Sequence, residues 1–311
     1  MSSNRSHTSI AITLILLGFA ASVSLTRYLE STRPPLPSGY EDEDPGLQAS
    51  KIKGFVFGAE GLIADWYWMN SLQYVGRKIS TVGLDKLNLD DLSSLNPRLL
   101  YPYLNNTVEL DARFIPAYSY GAIVLPAINV DDAISLTEKG IANNPNDWRL
   151  YQYLGYIYWK NKDYEKAAEV YSKGARVAGA PDFFPMMAAS MKNKGGDRET
   201  ARVMYLSMLN EEDSDGVRES VELRLLEIDS LDERDAINIA LADFENANRK
   251  CPARLSEIIP KLRTVKLPRD RSFSVTNANE LADPAGFPYR LDAKTCRAEL
   301  AYNSRIPKTP Q

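Results

Sequence analysis

Few side chains in this sequence are suited to acid–base or metal chemistry. His7 is the single histidine among the 311 residues, and it precedes the first hydrophobic run. The rest of the chain therefore lacks an imidazole for general-base catalysis or metal binding, which excludes Ser-His-Asp and Cys-His catalysis and histidine zinc sites. The sequence also lacks a glycine-rich phosphate loop. We predict a protein that is not an enzyme and that uses neither a cofactor nor a metal.

The two cysteines are the residues best placed for covalent chemistry. Cys251 and Cys296 are 45 positions apart, without the C-x-x-C spacing of a redox site. Both lie in the small segment that ends the chain, behind an export signal. In an oxidising compartment they would form one disulfide, whereas in the cytosol they would remain two buried thiols. Because of the export signal, we predict the disulfide.

The acidic balance of the chain excludes a further class of function. The formal net charge is -4 and the pI is about 5.3, so no surplus of basic residues is available to displace counterions from nucleic-acid phosphates. Hydrophobic residues make up 44% of the chain and charged residues 25%, which is ordinary for a globular protein. We expect one or two folded domains and no nucleic-acid partner.

The N-terminus carries a membrane signal. The run from Ile10 to Leu25 has sixteen residues without a charge, and flanking Ser and Thr residues extend it to nineteen. About 20 residues cross the hydrocarbon core of a bilayer as a helix. We interpret residues 10–27 as a single-pass transmembrane anchor that binds the lipid bilayer, with residues 1–9 as a tail.

The charges around this run predict its orientation. Arg5 and the terminal amine precede it, and the acidic run at residues 41–44 follows it. The positive-inside bias places the N-terminus inside and the body in the periplasm or outside the cell, at the inner (cytoplasmic) membrane. A cleaved signal peptide is the alternative, because Ala20 and Ala21 are small. We favour the uncleaved anchor because the helical pattern continues through Leu29.

Residues 28–50 are interpreted as a linker between the anchor and the body. The segment contains four prolines and four consecutive acidic residues. Proline stiffens such a segment, and like charges extend it. We therefore expect a solvated spacer, with an acidic interaction tag as the alternative.

A period of 34 residues runs through the middle of the chain. Gly121 and Gly155 are 34 positions apart, and Ala133, Ala167 and Ala201 continue the same spacing. Three units follow, at residues 114–147, 148–181 and 182–215. The positions assigned to helix packing within these units are Gly121, Ala133, Gly140, Leu154, Gly155, Tyr158, Ala167, Tyr171, Gly174, Ala201 and Tyr205.

The middle unit resembles a tetratricopeptide repeat (TPR). Tyr151, Leu154, Gly155, Tyr158, Ala167 and Tyr171 fall where that family places its large, Leu, Gly, Tyr, Ala and aromatic positions. The resemblance implies a mainly α-helical solenoid of antiparallel helix pairs, with small residues where the helices cross. With its N-terminal anchor, the whole chain is similar to membrane-anchored bacterial repeat proteins.

We expect the solenoid to fill residues 51–249. Residues 61–77 and 97–110 are predicted to form an earlier helix pair, and residues 217–226 and 234–248 a degenerate final pair that caps the stack. The pair Trp66 and Trp68 is predicted to lie in the core rather than in a ligand site.

The resemblance also implies a concave groove that is lined by the first helix of each unit. Its aromatic and amide side chains suit a protein segment better than a small molecule. The alternative is that several of these aromatics pack against other parts of the chain. The predicted groove residues are Ile115, Tyr118, Ala122, Leu125, Arg149, Gln152, Tyr156, Trp159, Phe183, Met186, Ser190 and Asn193.

Residues 250–311 are predicted to form a small α+β module. A short helix at residues 254–259 precedes strands at 273–275, 289–291 and 298–301. The run from Leu281 to Tyr289 is similar to the D-P-x-G-x-P-Y hairpin of pseudopilins. That resemblance implies a calcium role for Asp283 and Asp292, but we favour a turn role for both.

Together these features predict a scaffold that binds partner proteins through the groove and serves the assembly or maintenance of an envelope complex. The alternative is a structural accessory subunit of a larger membrane complex, held through both the transmembrane helix and the solenoid. The residue types name no partner.

Overall fold

A computed structural model describes residues 3–32, 42–43, 48–82, 87–211 and 215–308. The chain divides into two units, Met1–Leu47 and Gln48–Gln311. The first unit contains one long helix, α1 (Ser3–Thr32). Within α1, the segment Ile12–Thr32 has a mean hydropathy of 1.6, none of it is buried, and it is long enough to cross a membrane.

α1 is longer than the predicted anchor of residues 10–27. The helix continues past residue 27 to Thr32, because Tyr28 and Leu29 extend the apolar helical pattern. The linker prediction for residues 28–50 is therefore wrong at its start. It is also wrong at its end, because Ala49 is buried in the body's core. The four prolines of that segment lie outside the described residues.

The second unit is mainly helical, as predicted. Its helices are α2 (Ala49–Ile52), α3 (Glu60–Val82), α4 (Leu100–Leu110), α5 (Ile115–Val124), α6 (Val130–Asn143), α7 (Trp148–Lys160), α8 (Tyr164–Gly174), α9 (Phe183–Lys194), α10 (Arg198–Glu211), α11 (Asp215–Asn248) and α12 (Ile259–Leu262). Short 3-10 helices lie at Ser93–Leu95, Leu125–Ala127, Leu255–Ile258 and Pro268–Asp270.

Consecutive helices from α3 to α11 pack against one another, and α5 also packs against α7. The three 34-residue units contain α5 with α6, α7 with α8, and α9 with α10. Asp side chains fix the starts of two of these helices: Asp147 accepts a hydrogen bond from the Arg149 N–H, and Asp163 accepts one from the Lys166 N–H. Such caps satisfy the free amides of a first helical turn.

The final helix pair that the sequence predicts is instead one helix of 34 residues, α11. No glycine or proline interrupts it after Gly216, so nothing in the backbone ends the helix between the two predicted halves. Its halves serve different cores. Val221 and Ile228 pack with α10, whereas Ile237 and Leu241 pack with the C-terminal segment.

The C-terminal segment contains two short antiparallel hairpins. β1 (Ser274–Val275) pairs with β2 (Leu281–Ala282), and β3 (Arg290–Asp292) pairs with β4 (Arg297–Glu299). Cys251 and Cys296 are joined in a disulfide with Cα atoms 5.8 Å apart. The segment shares a hydrophobic core with α11 and belongs to the same unit as the helices. The predicted domain boundary at residue 250 therefore does not separate an independent core.

Candidate functional site

The small residues of the 34-residue period lie where neighbouring helices approach closely. A Cβ atom at Gly155 would come within 2.7 Å of the Tyr171 ring, and one at Gly140 within 2.9 Å of the Tyr118 ring. Gly121 lies against Leu136, and Gly174 against Phe184. The remaining packing positions are buried: Ala133, Leu154, Tyr158, Ala167, Ala201 and Tyr205.

Burial raises the pKa of three tyrosines at these positions. The pKa of Tyr158 rises to about 12, because the ring is desolvated and its hydroxyl donates to the Glu138 carboxylate at 3.0 Å. Desolvation raises the pKa of Tyr171 and of Tyr205 to about 12 as well. The hydroxyls of Tyr158 and Tyr205 form hydrogen bonds with Glu138 and Ser190, respectively.

The predicted groove is incorrect in the first unit. Tyr118 is fully buried, because its ring fills the space beneath Gly140 of α6. Ala122 and Leu125 are buried in the same core, and Ile115 is partly buried against it. Tyr118, Ala122 and Leu125 are therefore core residues and form no surface for a partner, whereas Ile115 also lines the cavity that contains Arg149.

The remaining predicted positions are scattered over the body. Phe183 is exposed and stacks on Phe184 with ring centroids 4.9 Å apart. Met186 packs in the core between α9 and α10, and Gln152 is half-buried. The exposed Arg149 covers the Trp148 ring at 4.4 Å and lines a cavity with Pro145 and Asn146.

Trp159 and Asn193 do share one concave site, together with Ser190. We call it the α9–α11 cavity; its volume is about 660 Å³. Helices α7 and α9 form one wall, helix α11 forms the other, and the chain's C-terminal end contributes to the rim. The lining residues are Trp159, Tyr164, Met187, Ser190, Met191, Asn193, Lys194, Gly196, Arg198, Arg224, Glu227, Leu231, Arg234, Pro307 and Lys308.

The apolar wall of the α9–α11 cavity is aromatic and sulfur-rich. Trp159 is half-buried and is held edge-on by Tyr156, with ring centroids 5.8 Å apart. Met187 and Met191 lie on the same wall and are unbranched side chains that adapt to varied shapes. Such a wall suits an irregular surface like the side chains of a peptide.

Two buried polar atoms in the α9–α11 cavity make no hydrogen bond within the described part of the chain. They are the Oδ1 acceptor of Asn193 and the Nε donor of Arg234. A buried polar atom without a partner costs about 1–3 kcal/mol. Both atoms are shielded from solvent, so a ligand reaches them only if these side chains move.

The charge balance of the α9–α11 cavity is positive. Arg224 pairs with Glu227 at 2.7 Å, and Arg198 pairs with Asp235 at 2.6 Å. Lys194, Arg234 and Lys308 line the same cavity and have no carboxylate partner among the residues for which positions are described. The walls therefore carry three unpaired cations, which favour an anionic ligand.

A second cavity of about 480 Å³ adjoins the first, since Arg234 and Lys308 line both. It lies between α11 and the β3–β4 hairpin, where Arg290 and Arg297 add two further cations. Arg290 pairs with Glu299 at 2.6 Å. The positive surface of the α9–α11 cavity thus continues along α11 onto the C-terminal segment.

A buried ionic cluster behind the α9–α11 cavity holds α10 against α11. Arg202 is 3% exposed and pairs with Asp229 and Asp232. Arg271 of the C-terminal segment joins the cluster through Glu233 at 3.0 Å. None of these residues is among those that the sequence predicted to be functional. A signal was available, because three acidic residues recur on one face of α11 at positions 229, 232 and 233.

The C-terminal segment is fixed to α11 through Tyr289. Its hydroxyl donates to the Glu233 carboxylate at 2.9 Å and lies 3.1 Å from the Ser230 hydroxyl. Burial raises the pKa of Glu233 to about 7, although hydrogen bonds from Tyr289 and Arg271 oppose that rise. Burial also raises the pKa of Tyr289.

Asp283 and Asp292 organise turns. Asp283 is buried, and its carboxylate accepts from the N–H groups of Ala285 and Phe287. Asp292 accepts from the Lys294 N–H at 3.0 Å. Across the residues that the structure describes, no cluster of three or more His, Cys, Asp or Glu is arranged to hold a metal ion.

Comparison with protein-family models finds no match, and comparison with curated protein sequences finds none either.

Proposed function

We propose that this protein is a membrane-anchored helical scaffold of the tetratricopeptide type, whose α9–α11 cavity binds an extended, acidic segment of a partner protein. The observation that carries this proposal is the convergence of Trp159, Asn193 and Arg234 on one cavity. Trp159 offers an aromatic surface, and Asn193 and Arg234 add polar and charged side chains to the lining.

The helical part of the proposal rests on the packing order. Consecutive helices contact one another, and each predicted unit contains one pair of helices. Glycines lie at the close approaches that a stacked arrangement of helix pairs requires. These features support a solenoid in which residues 114–215 supply the three clearest repeats.

Two observations support the location that we propose. α1 contains a segment apolar and long enough to span a bilayer. The disulfide between Cys251 and Cys296 is a feature of oxidising compartments. We place the N-terminus inside and the body on the exported side of the inner membrane, where the scaffold serves an envelope complex.

Peptide binding is favoured over small-molecule binding by the shape and chemistry of the site. The cavity is elongated by its junction with the second cavity along α11. Among the described residues its one lining carboxylate, Glu227, is paired with Arg224. An extended segment with acidic side chains would pair with Lys194, Arg234 and Lys308 in turn.

Site-specific photocrosslinking in intact cells tests this proposal. A photoreactive phenylalanine analogue replaces Ser190 in the cavity, and a control chain carries it at the exposed Val203 of α10. We expect discrete protein adducts from position 190, lost in the Arg234→Gln background, and none in common with position 203. Identical adducts at both positions would place the binding surface elsewhere.

A further inference from the structure

An exposed apolar patch lies at the start of the second unit. Phe55 and Phe57, in the turn before α3, are 77% and 95% exposed. Leu62, Trp66 and Met69 of α3 are also exposed, at 72%, 45% and 50%. These five residues are called the entry patch below.

The entry patch is the second apolar face of α3. Leu62, Trp66 and Met69 are spaced by four and three positions, so they share one side of the helix. The opposite side is already occupied, because Ala64, Tyr67 and Tyr74 are buried in the core. Trp68 is packed against Phe114 and Tyr120, as predicted, but Trp66 is not in the core. Helix α3 therefore carries more apolar surface than the core of the second unit buries.

The turn before α3 projects its aromatic side chains outward. Phe57 adopts a left-handed backbone conformation, with φ of 49°, and Gly58 follows with φ of 90°. A non-glycine residue in this region is uncommon and carries backbone strain. The turn thus exposes the Phe57 ring almost fully to solvent, where the ring contributes no buried apolar area to the stability of the fold.

The segment that joins α1 to α2 limits the distance between the end of α1 and the entry patch. Only residues 33–48 separate the end of α1 at Thr32 from α2 at Ala49. At ~3.5 Å per residue that segment reaches about 55 Å at most, and less when it is not fully extended. The entry patch follows α2 directly, so a tether of this length keeps it within reach of the bilayer when α1 is anchored there.

We propose that the entry patch docks on the lipid surface of the membrane in which α1 is anchored. Trp is enriched at the membrane–water interface, Trp, Phe and Leu form the apolar faces of helices that lie in it, and Met adds apolar area. The charges nearby balance, with Lys51 and Lys53 before the turn and Glu60 and Asp65 after it. Docking therefore depends on apolar contact and is insensitive to salt.

This inference rests on the proposed anchoring of α1, and the experiment separates the two. The full-length chain, with its disulfide intact, is reconstituted in vesicles of phosphatidylethanolamine and phosphatidylglycerol. Single nitroxide labels are placed at Phe57→Cys, at Leu62→Cys and, as a control, at Ile239→Cys of α11, which is 65% exposed. Collision with oxygen reports lipid contact, and collision with a water-soluble nickel complex reports solvent contact.

We expect a several-fold higher ratio of oxygen to nickel collisions at positions 57 and 62 than at position 239, unchanged by salt and by the number of chains per vesicle. Equal ratios at all three positions, in vesicles that float with the protein, overturn the lipid docking alone. A raised oxygen-to-nickel ratio that disappears at one chain per vesicle would mean that a second copy of the chain covers the patch. That result would also overturn the lipid docking. Failure of the chain to float with the vesicles overturns the anchoring itself.

Discussion

The Tyr171 ring lies directly against the backbone of Gly155, where a Cβ atom would come within 2.7 Å of the ring's Cζ atom. Gly155 belongs to α7 and Tyr171 to α8, so this contact sets how closely the two helices of the middle unit approach. Tyr171 is 2% exposed, and its ring also meets Phe184 at 5.8 Å. The ring therefore has no free space into which it can move.

Gly155→Ala is expected to destabilise the protein by about 1–3 kcal/mol, because the added methyl overpacks a filled core. That cost exceeds the gain of about 0.5–1 kcal/mol that alanine brings to a helix interior. Urea unfolding of the full-length chain in detergent, followed by tryptophan fluorescence, measures the change.

Gly76→Ala is the matched control for this substitution. Gly76 lies in α3, and a Cβ atom there would meet no heavy atom within 4 Å. The free energy of unfolding should stay the same or rise by up to about 1 kcal/mol. Equal shifts of the urea unfolding midpoint in the two variants would show that the close approach of α7 and α8 does not require glycine at position 155.

Arg202→Met should cost about 1.5–3 kcal/mol, because it removes the buried partner of Asp229 and Asp232 of α11 while Arg271 and Arg198 still pair with these carboxylates. The more exposed Arg198 pairs with the same Asp232 at 3.2 Å, so Arg198→Met provides a matched comparison with a smaller expected loss. Thermal unfolding of the two variants compares the stability lost with each arginine. A loss at Arg202 no larger than that at Arg198 would show that the buried cluster does not join α10 to α11 energetically.

Glu233→Gln is expected to change how stability depends on pH. Burial raises the pKa of Glu233 from 4.5 to about 7, so the folded protein holds a proton that the unfolded chain releases between these values. The wild-type free energy of unfolding should therefore fall as the pH rises from about 4.5 to about 7, by roughly 3 kcal/mol from this group.

In the Glu233→Gln variant that slope should flatten, because the amide does not titrate. Urea midpoints of both proteins at pH 5 and pH 7.5 measure the difference in slope. Parallel pH profiles would contradict a proton held at Glu233, and would mean that Arg271 and Tyr289 keep the carboxylate ionised.

Reduction of the Cys251–Cys296 disulfide should loosen the C-terminal segment more than the helices. The bond closes a loop of 45 residues. By restricting the unfolded chain, such a loop closure stabilises the folded form by about 3–4 kcal/mol. Hydrogen exchange of the full-length chain with and without reductant should show faster exchange in β2 to β4, with α7 and α8 unchanged. Uniformly faster exchange would mean that the segment and the helices unfold as one.

The sequence was informative where a local pattern fixes the structure. The 34-residue spacing of Gly121, Gly155 and the alanines predicts the helix pairs α5 to α10, because small residues are needed wherever two helices cross. The apolar N-terminal run predicts α1 for a similarly local reason. The two cysteines predict the disulfide, because both fall in one short segment.

The predictions that were wrong concern features set by contacts between residues far apart in the sequence. The sequence register places Tyr118 on the inner face of its helix, but it does not show that α6 leaves a space beneath Gly140 for the ring. The helix pair predicted at residues 217–248 is one helix, whose first half packs on α10 and whose second half packs on the C-terminal segment. The positive character of the α9–α11 cavity depends on Arg234 and Lys308, which lie 74 positions apart.

Binding of the partner captured at position 190 tests the central claim most directly. The titration uses the full-length protein in vesicles and compares the wild type with Arg234→Gln and with Arg149→Gln, an exposed cation that lies outside the α9–α11 cavity. We predict that Arg234→Gln weakens binding about tenfold, that added salt weakens wild-type binding, and that Arg149→Gln leaves it unchanged. Unaltered binding in Arg234→Gln, or a loss confined to Arg149→Gln, would contradict the assignment of the cavity as the partner site.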